Sequence, residues 1–129
     1  MTELEIEPQL RSLPLARRWA RSLSEQAHLP PRAVQVVELL TSELVANAVN
    51  HGPAAPILLR SQAGAGLVTI MVTDQGDEMP VMRSTGPEVP GGQGVRIVDR
   101  LATTWGVDQH PHGGKTVWFT LVVNGPPRD

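Results

Sequence analysis

Residues 31–52 constrain the fold more than any other stretch. Pro30-Pro31 opens the segment and Gly52-Pro53 closes it. Proline is tolerated in the first turn of a helix, and glycine followed by proline stops one. Between these marks Val37, Leu40, Leu44 and Ala48 recur at helical spacing. Such a stripe must face the core, so the helix needs a second layer to cover it.

The rest of the chain supplies that layer. Residues 1–10 read as an extended arm or edge strand. Ser12 is placed to cap a helix with Pro14 in its first turn, and Leu15, Trp19, Leu23 and Ala27 continue at helical spacing to about His28. Ile57–Ser61 and Leu67–Thr73 are β-prone runs around a Gly-rich linker, the pattern of an antiparallel hairpin. Val95–Ala102 reads as a short amphipathic helix with Val95, Val98 and Leu101 apolar. Thr104–Asp108 and Thr116–Val123 read as two strands around a turn at His110–Gly114, with Trp105 and Trp118 expected in the core. The order predicts an α+β two-layer sandwich, with helices on one face of a mostly antiparallel mixed sheet. Between Asp74 and Gly94 the chain is rich in Gly and Pro and lacks periodicity. A loop of that length in a compact domain is usually functional or disordered.

Composition narrows the class. A chain of 129 residues suits one domain, here residues 1–129 with a core at about 13–122. Its 40% hydrophobic content allows a packed core. Eleven basic and 13 acidic residues leave a net charge of −2, so no global basic field points to nucleic acid or membrane. Without cysteine there is no disulfide framework or thiolate metal site. The acidic N-terminus lacks an apolar signal segment, and no apolar run reaches the roughly 20 residues of a membrane helix. The expectation is a soluble, cytoplasmic protein.

Four groups of residues could carry chemistry. Glu43, Asn47 and His51 stand at i, i+4 and i+8, on one helix face beside the Leu44/Ala48 stripe, with Asn50 nearby. Carboxylate and carboxamide one turn apart suit a proton acceptor and a hard-cation ligand; spacing alone equally fits a polar flank with His51 near the C-cap. Asp74-Gln-Gly76 ends a strand, as a plain turn or as an acceptor for an exocyclic amine with Gly76 admitting a flat ring. Gly91-Gly92-Gln93-Gly94 before a helix is either an anion cradle or a flexible loop. It is not a dinucleotide fingerprint, because the third glycine is replaced by Ile97. Gly114-Lys115-Thr116 is not a P-loop, because Gln109 stands at the first glycine and a strand follows. It is a hairpin turn, or a strand start whose Thr116 hydroxyl faces a ligand.

Taken in order, Glu43-x-x-x-Asn47-x-x-x-His51, Asp74-x-Gly76, Gly92-x-Gly94 and Gly114-Lys-Thr116 resemble the N, G1, G2 and G3 boxes of the GHKL (Bergerat-fold) ATPases. The phrases SELVANAVNHG and GGKTVWF resemble the RsbW-like anti-sigma factor serine/threonine kinases. The resemblance implies ATP and Mg²⁺ as cofactors. It implies Glu43 as general base, Asn47 as Mg²⁺ ligand, and Asp74 as acceptor for the adenine amine beside Gly76. Gly92, Gln93, Gly94 and Val95 would hold the phosphates within a lid at about 78–94, and Thr116 would bond near adenine directly or through water. Asn50 and His51 would border the site. Implied partners are a STAS-type anti-sigma factor antagonist, a sigma factor, or both, and a second copy of the chain. Two positions depart from the branch: Glu78 replaces a second glycine of the first box, and Gln93 replaces an arginine of the second. Arg83, Arg96 or Lys115 would then have to supply that charge. The alternative is a nucleotide-binding module that sequesters a partner without efficient phosphotransfer.

Overall fold

A computed structural model describes residues 1–64, 66–76, 98 and 100–122. The N-terminal arm is an edge strand, β1 (Thr2–Ile6), which pairs antiparallel with β2 (Ile57–Gly64). Between them run a 3₁₀ turn at Leu10–Ser12 and the helices α1 (Leu13–Gln26) and α2 (Pro31–His51). Then follow β3 (Leu67–Asp74), β4 (Thr104–Gln109) and β5 (Lys115–Val122). The strands lie in the order β1-β2-β3-β5-β4, and every described ladder is antiparallel. Since β3 and β4 both oppose β5, they run in the same direction, with residues 75–103 as the connection between them in sequence. Val98, Arg100 and Leu101 in that connection are helical, as expected.

Both helices cover one face of the sheet. The stripe of α2 behaves as its spacing requires: Val37, Leu40, Leu44 and Ala48 are all buried. They meet Leu59, Ile70, Val72, Val117 and Phe119 from the sheet. Helix α1 differs from expectation. Ala16, Ala20, Leu23 and Ser24 are its buried residues, while Leu15 is 42% exposed and Trp19 only partly buried. The reason is steric, since α1 runs along α2 and small residues at the contact let two helices approach closely. Ser12 occupies the N-cap position but makes no capping hydrogen bond, because the preceding 3₁₀ turn already holds it in a helical conformation. The exit of α1 is a Schellman motif: Leu29 N–H donates to Ser24 O at 3.1 Å and His28 N–H to Glu25 O at 3.0 Å, with His28 at φ 61°.

Strand parity divides the sheet into two faces. Val68, Ile70, Val72 and Asp74 of β3 point to the helices, with Lys115, Val117 and Phe119 of β5 beside them. Thr69, Met71 and Thr73 point the other way, with Thr116, Trp118 and Thr120 as partners. Trp105 packs against the core, as expected. Trp118 does not: it lies on the helix-free face, flat against Gly106, where an added Cβ would come within 2.6 Å of its ring.

Candidate functional site

The end of β3 and the end of α2 meet at Asp74. The carboxylate is 3% exposed and fully engaged on one oxygen. Its Oδ1 accepts from the Gly76 backbone N–H at 2.7 Å and from Lys115 Nζ at 3.1 Å; its Oδ2 accepts from the same ammonium at 3.1 Å. Lys115 is itself 4% exposed and is the direct cross-strand partner of Asp74. A lone buried carboxylate is costly, and this ammonium compensates it.

Glycines allow the surrounding backbone to come this close. A Cβ on Gly76 would meet Pro53 Cδ at 3.0 Å and Asp74 Oδ1 at 3.2 Å. One on Gly52, which follows α2, would lie 3.6 Å from the Asp74 carboxyl carbon and 2.4 Å from Ala48 O. Gly114, at φ 88°, brings the β4–β5 turn to within 2.8 Å of the Asp74 carbonyl by the same measure. Gly76 therefore stands directly against the Asp74 carboxylate. Gly52, marked in the sequence as the helix stop, and Gly114, the first residue of the Gly114-Lys-Thr116 motif, share in this close packing.

Glu43 and Asn47 sit on α2 one turn apart, both half-buried on the flank of the core stripe. Burial raises the Glu43 pKa above its ordinary 4.5, because the ionised form loses hydration. The carboxyl makes no hydrogen bond or ion pair among the described residues, so it is available as a proton acceptor. Asn50 and His51 are exposed in the last turn. Gly92, Gln93, Gly94 and Val95, the lid, Glu78, Arg83 and Arg96 lie outside the described residues.

Thr116 lies on the other face of the sheet from Asp74. Its hydroxyl is bonded to Thr73 Oγ1 at 2.7 Å and to His110 Nε2 at 2.9 Å. Those partners lie on the helix-free face, so the side chain does not stand beside Asp74. One residue along a strand reverses the face, and Lys115 takes the place beside Asp74. Lys115 was expected only as a substitute charge for the phosphates; its ammonium is committed to Asp74 instead. Thr116 instead lines a depression of about 430 Å³ on the other face, with Arg60, Thr69, Met71, Asp108, His110 and Trp118. His110 thus serves the turn, whose backbone closes through His110 N–H to Gly114 O at 2.9 Å. No cluster of three or more His, Asp or Glu side chains suited to a metal occurs among the described residues.

This site can be set beside known proteins. The sequence profile of the histidine kinase-like ATPase domain matches residues 6–121. The chain belongs to the histidine kinase-like ATPase family. The GHKL ATPase fold expected from the motif order is therefore the fold observed, and the family is one of ATP-binding domains. Among solved structures, the RsbU and RsbW domains of Rv1364c from Mycobacterium tuberculosis superpose with a TM-score of 0.69 at 21% identity, over 99% of this chain and 34% of that one. The histidine kinase domain of the blue-light activated histidine kinase from Erythrobacter litoralis EL346 superposes with a TM-score of 0.56 at 20% identity, over 92% of this chain and 62% of that one. At these identities the likeness is one of fold. The histidine kinase-like ATPase chain described here spans about a third of the first structure and under two thirds of the second. No protein of curated function matches it by sequence. No helix among the described residues is long and apolar enough to cross a membrane.

Proposed function

We propose that this domain is a regulatory serine/threonine protein kinase of the anti-sigma factor type. It uses ATP and Mg²⁺ to phosphorylate an anti-sigma factor antagonist, sequesters a sigma factor, or does both. The observation that carries the reading is the placement of Asp74: a buried, oriented carboxylate at the end of the helix that bears Glu43 and Asn47. In this reading Asp74 accepts from the adenine amine and Gly76 admits the ring. Gly92, Gln93, Gly94 and Val95 line the phosphates, while Asn50 and His51 border the entrance. Asn47 offers one amide oxygen to Mg²⁺. A single amide oxygen would be enough for an ion that needs few protein ligands. When bound there, Mg²⁺ would supply positive charge against the phosphates.

Glu43 then acts on the acceptor. The partner's serine oxygen forms a bond to the γ-phosphorus as the bond from that phosphorus to the β–γ bridging oxygen breaks, and Glu43 takes the serine proton. ADP leaves with the bridging electron pair. Phosphoryl transfer of this kind depends on positioning and charge stabilisation more than on covalent help. Burial helps here by raising the basicity of Glu43 toward neutral pH.

One observation favours a second reading, the partner-sequestering module without efficient transfer. Gln93 stands where the branch carries arginine, and Lys115, a possible replacement, is tied to Asp74. Incubation with γ-labelled ATP, Mg²⁺ and a panel of STAS-type antagonists separates the two. Label on an antagonist serine that disappears with Glu43→Ala supports the kinase. Sigma factor or antagonist binding with no label transferred supports the sequestering module.

A further inference from the structure

The Asp74–Lys115 pair has hydrogen-bonding capacity left over, and its remainder has a definite pattern. An ionised carboxylate offers about four lone-pair positions, and an ammonium offers three donors. Asp74 uses two positions on Oδ1, for Gly76 N–H and Lys115, and one on Oδ2, for Lys115. Lys115 uses two of its donors on those same oxygens. Among the described residues, one acceptor position on Oδ2 and one N–H on Nζ remain, on neighbouring atoms.

Resting on the ATP-binding reading above, we infer that Lys115 reads the base: its third N–H donates to ring nitrogen N1 of adenine while Asp74 Oδ2 accepts from the neighbouring N6 amine. Adenine presents a donor and an acceptor side by side on that edge, the complement of what the pair leaves unused. The cross-strand register sets the spacing, since β3 and β5 hold the two residues directly opposite. Gly76 lets its backbone N–H reach Oδ1 at 2.7 Å, where an added Cβ would crowd that oxygen, and so fixes the orientation of the carboxylate. Lys115 is thus a specificity-determining residue as well as the counter-ion of Asp74. A purely structural lysine would be indifferent to the atom at position 1 of the ring.

The test starts from the native chain, because Lys115 is its single lysine. Labelling with ε-¹⁵N lysine gives one ammonium signal. Titration of the native chain with Mg·ATP and with the Mg²⁺ complex of 1-deaza-ATP, in which C–H replaces N1, compares two ligands that share the amine and the phosphates. The expected result is binding about 10–100-fold tighter for ATP, the range for a hydrogen bond to a charged group. The ammonium signal should move, and its proton exchange should slow, with ATP alone. In Lys115→Met the two ligands should bind alike. Equal affinities and equal ammonium signals in the native chain would overturn the inference while leaving ATP binding intact. Failure of the native chain to bind ATP at all would overturn the underlying reading and this one together.

Discussion

Lys115 Nζ lies 3.1 Å from both carboxylate oxygens of Asp74, and the two residues oppose each other across β5 and β3. Both are almost completely buried. Removing one partner of such a pair leaves an uncompensated charge in a dry site, which costs about 3–5 kcal/mol. Lys115→Met should lose stability in that range. The double variant Lys115→Met/Asp74→Asn should recover part of it, because no buried charge remains. Urea unfolding midpoints check this. Equal midpoints for native and single variant would show that the pair contributes nothing.

Glu43 should carry a stability penalty at neutral pH. Its folded-state pKa is raised by burial, so the protonated form is the one that folding favours. The contribution is therefore most favourable below about pH 4.5 and is lost as pH rises from there through the folded-state value. Glu43→Gln should raise the melting temperature at pH 7 and leave it unchanged at pH 4. The same variant should lower phosphotransfer by about 10²–10⁴-fold, the usual contribution of a general base. Melting curves at the two pH values and initial rates give the answer.

The turn before β5 contains two glycines with positive φ whose surroundings differ. Gly113, at φ 103°, has nothing within 4 Å of an added Cβ. Gly114, at φ 88°, would place its Cβ 2.8 Å from the Asp74 carbonyl. Gly113→Ala should cost about 1–2 kcal/mol from backbone conformation alone. Gly114→Ala should cost more and weaken nucleotide binding, since the displaced backbone is that of Asp74. Chemical denaturation and nucleotide titration of the two variants test the contrast; matching losses would refute it.

His28 is the one residue other than glycine described with positive φ, at the exit of α1. A residue with a Cβ pays about 1 kcal/mol or more for that conformation. His28→Gly should therefore stabilise the fold by about 1 kcal/mol, and His28→Val should destabilise it. The sign of the change in unfolding midpoint is decisive.

Much of this arrangement was legible before any coordinates. Proline and glycine bracket α2 so firmly that its buried stripe follows from spacing, and alternating runs mark the strands of both hairpins. Two kinds of information were hidden. Leu15 and Trp19 outweigh Ala16 and Ala20 in any hydrophobic pattern, yet close approach of α1 to α2 favours the small residues. Lys115 and Thr116 are neighbours in one motif, and only cross-strand register tells which of them shares a face with Asp74. Counting parity back from the buried Phe119 would have placed Lys115, Val117 and Phe119 together. Trp118 then follows to the opposite face, despite its apolar bulk.

The central claim is that Asp74 is the base acceptor of an ATP site, and calorimetric titration of Mg·ATP into the native chain and into Asp74→Asn tests it most directly. The substitution replaces two carboxylate oxygens by one amide oxygen and removes the charge. The account predicts one nucleotide per chain for the native protein and affinity reduced about 10–100-fold in the variant, with circular dichroism unchanged. Identical binding by both proteins, or none by the native chain, would contradict it.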